Sequence, residues 1–171
     1  MIGYLGQELS RWDHLPDGEA PEALVLPFFS DERPLRGAAG ICDWRLCGRL
    51  SRLLSSGRVT GAWGETTLFP PGRRLPFARL VLFGLGPGDT FDDGRAVEAA
   101  RRLLGVLTRM RLGRVAISLP GRSTGRLSAR RSLEILQQEL GRGGSTPAEV
   151  LVVESAAGQK ESADLHRGRQ P

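Results

Sequence analysis

The sequence predicts an α/β domain with a largely parallel or mixed sheet covered on both faces, and three observations carry that prediction. First, Leu80-Val81-Leu82-Phe83 is an unbroken apolar run, the signature of a strand buried on both sides. Second, Gly84, Gly86, Pro87 and Gly88 break that strand, and from Asp93 to about residue 112 apolar residues fall at Val97, Ala100, Leu104, Leu107 and Met110, which is helical spacing with one apolar face. Third, Val115-Ala116-Ile117-Ser118-Leu119 supplies the next strand, closing a βαβ unit.

The remaining elements follow in chain order. Ile2 to Leu5 reads as a short strand, Leu9-Ser10-Arg11-Trp12 as a helical turn, and Pro16-Asp17-Gly18 as a turn. Ala23-Leu24-Val25-Leu26-Pro27-Phe28-Phe29 reads as a strand with proline near its end. The polar loop 30–34 leads through Gly37 and Gly40 into a single helix over about 41–55, with Ile41, Trp44, Cys47, Leu50 and Leu54 near one face and Gly57 as its terminator. Residues 60–69 read as a strand or a bent pair of strands, followed by the turn 70–74. Ser128 caps a helix running through Leu140 with Leu133, Leu136 and Leu140 inward, and Gly141, Gly143 and Gly144 end it. Val150-Leu151-Val152-Val153 is the last strand. Residues 155–171 are polar and aperiodic and read as a disordered tail after a domain spanning 1–154.

Composition bounds the function classes. The chain has 171 residues, 40% hydrophobic and 25% charged, which suits one globular domain with a real core. No apolar run approaches the ~20 residues of a membrane span, and Met1-Ile2-Gly3-Tyr4 does not read as the start of a signal peptide, so no membrane association and a cytoplasmic location are expected. The net charge of +5 is uneven: residues 1–35 hold seven acids against Arg11 and Arg33, a net −5, so residues 36–171 carry +10. Lys160 is the only lysine. A basic surface attracts nucleic acid or acidic partners, and Arg122, Arg126, Arg130 and Arg131 are the densest cluster, so weak, sequence-tolerant DNA binding is one candidate property. Arg95, Arg102 and Arg109 lie seven apart and read as a solvated helix face.

No catalytic constellation is written locally. There is no Walker loop and no Gly-x-Ser-x-Gly elbow. His14 and His166 sit near opposite ends, so no compact metal site and no cofactor are expected. Cys42 and Cys47 lie five apart on a predicted helix, roughly 140° around it, and read as free thiols. The turn with Gly84, Gly86 and Gly88 before a helix is a phosphate-binding candidate, because backbone N–H groups and the helix dipole favour an anion there. Its glycine spacing is not the dinucleotide fingerprint, and Asp89, Asp92 and Asp93 serve equally as an acidic helix start.

Five runs in fixed order carry a family resemblance: Glu22-Ala23-Leu24-Val25-Leu26-Pro27-Phe28-Phe29; Leu35-Arg36-Gly37; Gly57-Arg58-Val59-Thr60-Gly61 with Gly64-Glu65; Leu80-Val81-Leu82-Phe83-Gly84-Leu85-Gly86; and Val115-Ala116-Ile117-Ser118-Leu119-Pro120. Together they span about 100 residues and resemble the N-terminal, non-catalytic domain of the cytosol (leucyl) aminopeptidase family. The resemblance implies a macro-domain-like, three-layer α/β/α fold with a mixed sheet. In that family a following domain holds two metal ions on a lysine, aspartates and a glutamate. Nothing here matches its Asn-Thr-Asp-Ala-Glu-Gly-Arg-like motif, so no aminopeptidase residue transfers and no enzyme is expected. The implied roles are binding, regulation or assembly, with a protein partner or a homo-oligomer; in some bacterial members the domain also contributes to DNA binding. Two further readings follow from the resemblance. One is an ADP-ribose or nucleotide binder of the macro type using Gly37, Gly40, Gly84, Gly86 and Gly88, although the polar residues that would read the ligand are missing around Phe28 and Phe29. The other is an accessory subunit of a separate aminopeptidase catalytic chain.

Overall fold

The computed structural model describes residues 1–16, 18–142 and 147–167, with side chains to Ala163. Asp17 of the expected first turn, the Gly143-Gly144 terminator, the His166 side chain and residues 168–171 lie outside what is described. Strands β1 (Ile2–Gly6), β2 (Ala23–Phe28), β3 (Thr66–Phe69), β4 (Arg79–Gly84), β5 (Arg114–Ser118) and β6 (Glu149–Glu154) form one sheet in the order β1-β6-β5-β2-β4-β3. All neighbours are parallel except β3, which runs antiparallel to β4 at the edge. The helices are α1 (Leu9–Asp13), α2 (Gly37–Arg45), α3 (Arg49–Ser55), α4 (Asp93–Met110), α5 (Ala129–Arg142) and α6 (Ala156–Arg167). The mixed three-layer α/β/α architecture expected from the sequence is the one observed.

Successive side chains of a strand point to opposite faces, and here both faces are covered. Val25, Val81, Phe83, Val115, Ile117 and Val152 face the α4–α5 layer, where Ala99, Leu103, Leu107, Leu133 and Leu136 are buried. Leu24, Leu26, Leu80, Leu82, Ala116 and Val153 face the other layer, where Trp12 of α1, Cys42 and Leu46 at α2, and Leu50 of α3 are buried. Each fully buried leucine or valine contributes about 1.5–3 kcal/mol, so the central strands, apolar on both faces, hold the domain.

Three expectations need correction. The single helix over 41–55 is two helices broken at Leu46-Cys47-Gly48: Cys47 and Gly48 take the left-handed region (φ 55° and 75°), and the Asp43 carboxylate restarts the chain by accepting from Leu50 N (2.8 Å) and Ser51 N (3.0 Å). Trp44 and Cys47 are exposed instead of sharing the inner face, which on α2 is formed by Ala38, Ala39 and Cys42. On α4 the buried face is Ala96, Ala99, Ala100, Leu103, Leu104 and Leu107, with Val97 and Met110 at its margin. Residues 156–167, expected to be disordered, form α6 against α5. Among its described side chains the buried residues are small: Gly158 packs on Glu154, and buried Ser162 donates to Gly158 O at 2.8 Å. Ser155 Oγ accepts from Gly158 N at 3.2 Å and opens the helix.

Several finer expectations are met. Ser128 Oγ accepts from Arg131 N (3.1 Å) at the start of α5, and Asp92 caps α4 by accepting from Arg95 N (2.8 Å). Gly57, at φ 70°, follows the end of α3. Of the bent region 60–69, only 66–69 is strand. Residues 60–65 wrap the Glu65 carboxylate, which accepts from Thr60 N and Gly61 N at 2.9 and 2.6 Å.

Candidate functional site

In a parallel sheet, ligands bind in the crevice beyond the carboxyl ends of the strands, where the strand order reverses. Here that place lies at β2, between β4 on one side and β5 on the other. The loop after β2 carries Ser30, Asp31, Glu32 and Arg33, and it is tied in both directions. Asp31 Oδ1 accepts from Gly88 N at 3.0 Å, joining it to the glycine turn after β4. Glu32 is buried; its carboxylate accepts from Phe29 N (3.2 Å), Arg36 N (3.0 Å) and Ser123 Oγ (3.1 Å), joining it to the loop after β5. Burial pushes the Glu32 carboxyl above the ordinary range, against these hydrogen bonds, which favour the anion.

The backbone N–H groups that would cradle a phosphate are therefore engaged. Gly84 N donates to Glu65 O (2.8 Å), Leu85 N to Phe28 O (2.9 Å), Gly86 N to Gly61 O (2.9 Å) and Gly88 N to Asp31. The glycines answer to packing of the protein on itself. A β-carbon at Gly84 would overlap Ala62 O, and one at Gly40 would lie 2.5 Å from Leu35 O. Gly86 and Gly37 sit at φ 70° and 54°. Of the five glycines singled out in the sequence, Gly86 and Gly88 meet the β2 loop at Ser30 and Asp31, whereas Gly84 packs on Gly61-Ala62, Gly37 lies beside Gln7 and Ser123, and Gly40 packs on Leu35.

Next to Gly37, a cavity of about 160 Å³ is lined by Gln7, Gly37, Ser118, Arg122, Ser123, Val153, Glu154 and Ser155. Sites for drug-sized ligands start near ~300 Å³, so this cavity is too small for a nucleotide. Its charge is also cancelled: Arg122 binds buried Glu154 through Nε (2.8 Å) and Nη2 (3.1 Å). Among the described residues, no group of three or more His, Cys, Asp or Glu is placed to hold a metal ion, so the residues present do not fit a two-metal centre.

The arginine cluster of the sequence is dispersed into ion pairs. Arg122 faces Glu154, Arg130 pairs with Glu134 (3.3 Å), and Arg131 pairs with Asp93 (2.7 Å) and Glu134 (3.2 Å), while Arg126 is exposed. Arg95, Arg102 and Arg109 are exposed, as expected of a solvated face, and Arg95 and Arg102 also stack on the Trp63 ring, 4.6 and 5.5 Å from its centroid. His14 Nδ1 lies 2.7 Å from Ser10 O, with no second histidine or cysteine grouped with it as a metal site. What sequence reasoning missed are the residues that fill the crevice: Asp31, Glu32 and Ser123. Nothing local marks them, since the bonds to Gly88 and Ser123 span 57 and 91 residues.

Comparison with known proteins now adds to this geometry. Residues 25–140 match the sequence profile described as "Cytosol aminopeptidase family, N-terminal domain". A probable cytosol aminopeptidase of Geobacter sp. (strain M21) is 35% identical over 105 residues, 61% of this chain and 21% of the relative. The chain thus spans about a fifth of the length of that curated relative. Among solved structures, a macrodomain of Oceanobacillus iheyensis with MES bound superposes with a TM-score of 0.67 at 10% identity, covering 98% of this chain and 88% of the other. A leucine aminopeptidase mutant of tomato superposes with a TM-score of 0.56 at 15% identity, covering 95% and 35%. At these identities the structural likenesses establish the fold alone.

Proposed function

Because this chain belongs to the cytosol aminopeptidase family through its N-terminal domain, and because its own carboxylates fill the crevice, we propose that it is a non-catalytic binding and assembly domain working through protein contacts. The observation that carries this reading is the double tie of the β2 loop. Asp31 accepts from Gly88 N, and Glu32 from Phe29 N, Arg36 N and Ser123 Oγ, so these donors are already engaged by the protein's own carboxylates. An incoming pyrophosphate would have to displace two carboxylates and meet their repulsion. The reading places the protein in the cytoplasm; no helix among the described residues is long and apolar enough to cross a membrane.

Isothermal titration with ADP-ribose, NAD and ATP tests it. None should bind below about 1 mM, a level worth only ~4 kcal/mol. Micromolar heats with ADP-ribose would overturn the reading and restore the macro-type binder that the fold suggests. A parallel assay addresses catalysis. Purified protein with zinc, manganese or magnesium should leave leucine p-nitroanilide intact, and turnover that stays with the protein through repeated purification would make it an enzyme. An accessory role beside a separate catalytic chain is the second reading, suggested by the match to the family's N-terminal domain. Mixing with such a chain should then change its assembly state in light scattering.

A further inference from the structure

The arginines left without carboxylate partners lie elsewhere than the sequence suggested. Residues 44–79 contain seven arginines and one acid, Glu65, a net +6 that exceeds the +5 of the whole chain. Glu65 is turned onto Thr60 and Gly61, and Asp43 is spent on the start of α3. Among the described residues, Arg49, Arg52, Arg58, Arg73 and Arg74 are exposed and none forms an ion pair with a carboxylate. Arg74 lines an open, mainly apolar groove of about 870 Å³ whose walls include Pro34, Leu35 and Trp44, while Arg49, Arg52 and Arg58 line a second opening with Phe69, on which Arg49 stacks at 5.0 Å. Trp44 is 71% exposed, because α2 turns Ala38, Ala39 and Cys42 inward and leaves the ring outside.

The rim of the groove is held in place. Arg45 Nε donates to Arg74 O (3.0 Å), Arg74 Nη1 to Cys47 Sγ (3.1 Å) and Arg52 Nη1 to Cys47 O (2.9 Å). Two guanidiniums thus converge on the α2–α3 break from either side, with hydrogen-bonding capacity to spare, since each presents five N–H donors. We propose that this α2–α3 face docks an acidic protein segment, with carboxylates on Arg49, Arg52 and Arg74 and one apolar side chain in the groove against Trp44. Tryptophan and arginine are the residue types that dominate interface energetics, and charge complementarity selects the occupant. A protein segment fits better than nucleic acid, because the face offers one exposed aromatic ring and an apolar trough rather than successive stacking platforms along a basic track. The proposal rests on the binding-domain reading above and names the surface that would carry it.

The test uses the full chain and a fluorescein-labelled ten-residue peptide, six of its residues glutamate, with one central phenylalanine. Fluorescence anisotropy is read at rising salt and beside duplex and single-stranded oligonucleotides. We expect saturable binding that weakens as salt rises. Trp44→Ser should weaken it at least tenfold, as should the pair Arg49→Glu and Arg74→Glu, and a peptide with serine in place of phenylalanine should bind at least tenfold more weakly. Bound peptide should also slow alkylation of exposed Cys47. Thermal melts of these surface variants should match the parent, which separates lost binding from lost folding. Absence of peptide binding, equal binding of a glutamine-for-glutamate peptide, tighter binding of either oligonucleotide, or a dimer of the chain abolished by Trp44→Ser would each overturn the proposal. ADP-ribose titrated into the same samples distinguishes the two claims. A micromolar signal there defeats the binding-domain reading, whereas no peptide binding with no ADP-ribose signal defeats only this surface.

Discussion

The two helical layers carry arginines of the same kind and treat them differently. On the α4–α5 side many are folded into carboxylates, though among the described residues Arg95, Arg109 and Arg126 are not: Arg101 and Arg142 pair with buried Glu139, Arg102 with Glu98, Arg131 with Asp93 and Glu134, and Arg122, in the loop before α5, with buried Glu154. On the α2–α3 side only Arg45 has such a partner, Asp13. Exposed ion pairs are worth about 0–1 kcal/mol each, so the contrast changes the total stability little. It changes which face of the domain presents charge to a partner. Local density of arginine in the sequence therefore says less about a basic surface than the positions of the acids that fold against it.

The largest effect that would sharpen this contrast is at Glu154. Besides Arg122, its carboxylate accepts from Ser155 N and Ser155 Oγ, and it packs under Gly158. Glu154→Ala should cost about 3 kcal/mol, the range for breaking a buried pair by removing one partner. At ~2–4 °C per kcal/mol for this size, the melting temperature should fall by roughly 6–12 °C. A fall under 2 °C would show that the pair and the α6 start it supports contribute little.

Glu32 comes next. Glu32→Ala strands the Phe29 and Arg36 amides and should cost about 2–3 kcal/mol by chemical denaturation. The raised carboxyl also gives a pH signature. The folded protein retains a proton that the unfolded chain has released, so this group's contribution is full below its ordinary value near 4.5 and is lost as pH rises through the raised folded value. The stability of the parent relative to Glu32→Gln should therefore decline across that window as pH increases. A relative stability that climbs with pH would mean that the hydrogen bonds, rather than burial, dominate the carboxyl.

The smallest effects compare the layers directly. Arg131→Ala should cost up to about 1 kcal/mol, and Arg52→Ala on the other layer should stay within about 0.5 kcal/mol. Equal costs would erase the distinction between paired and unpaired faces.

Much of this fold was legible. β2, β4, β5 and β6 announce themselves as apolar runs because both faces of the sheet are covered, and Ser128 and the Asp92-Asp93 pair mark helix starts by local chemistry. The helix break at Cys47 was hidden because a non-glycine residue takes a positive φ there and the capping acid, Asp43, stands seven residues before Leu50. Helix α6 was hidden because hydrophobic periodicity detects large buried side chains, whereas the buried residues described on this helix are Gly158 and Ser162. At the crevice, the glycines could be read as a turn. What fills the turn could not, since Asp31 reaches Gly88 and Glu32 reaches Ser123, partners that only the fold brings near.

The pairing of β1 has a consequence for how the protein is made. Ile2 lies opposite Val150, and the Met1 ammonium donates to Ala148 O at 2.9 Å, so the edge strand joins nothing but the last strand of the sheet. β1 is therefore made well before the strand it pairs with. Until β6 emerges, Ile2–Gly6 has no neighbour in the sheet, and α1 and Trp12, whose Nε1 donates to Gly6 O, wait with it. Contacts of such long sequence separation form late and slowly. Synthesis through β6 therefore precedes closure of this edge, and a nascent chain halted before residue 150 would carry β1 unpaired in the sheet beside the β2-β4-β5 core.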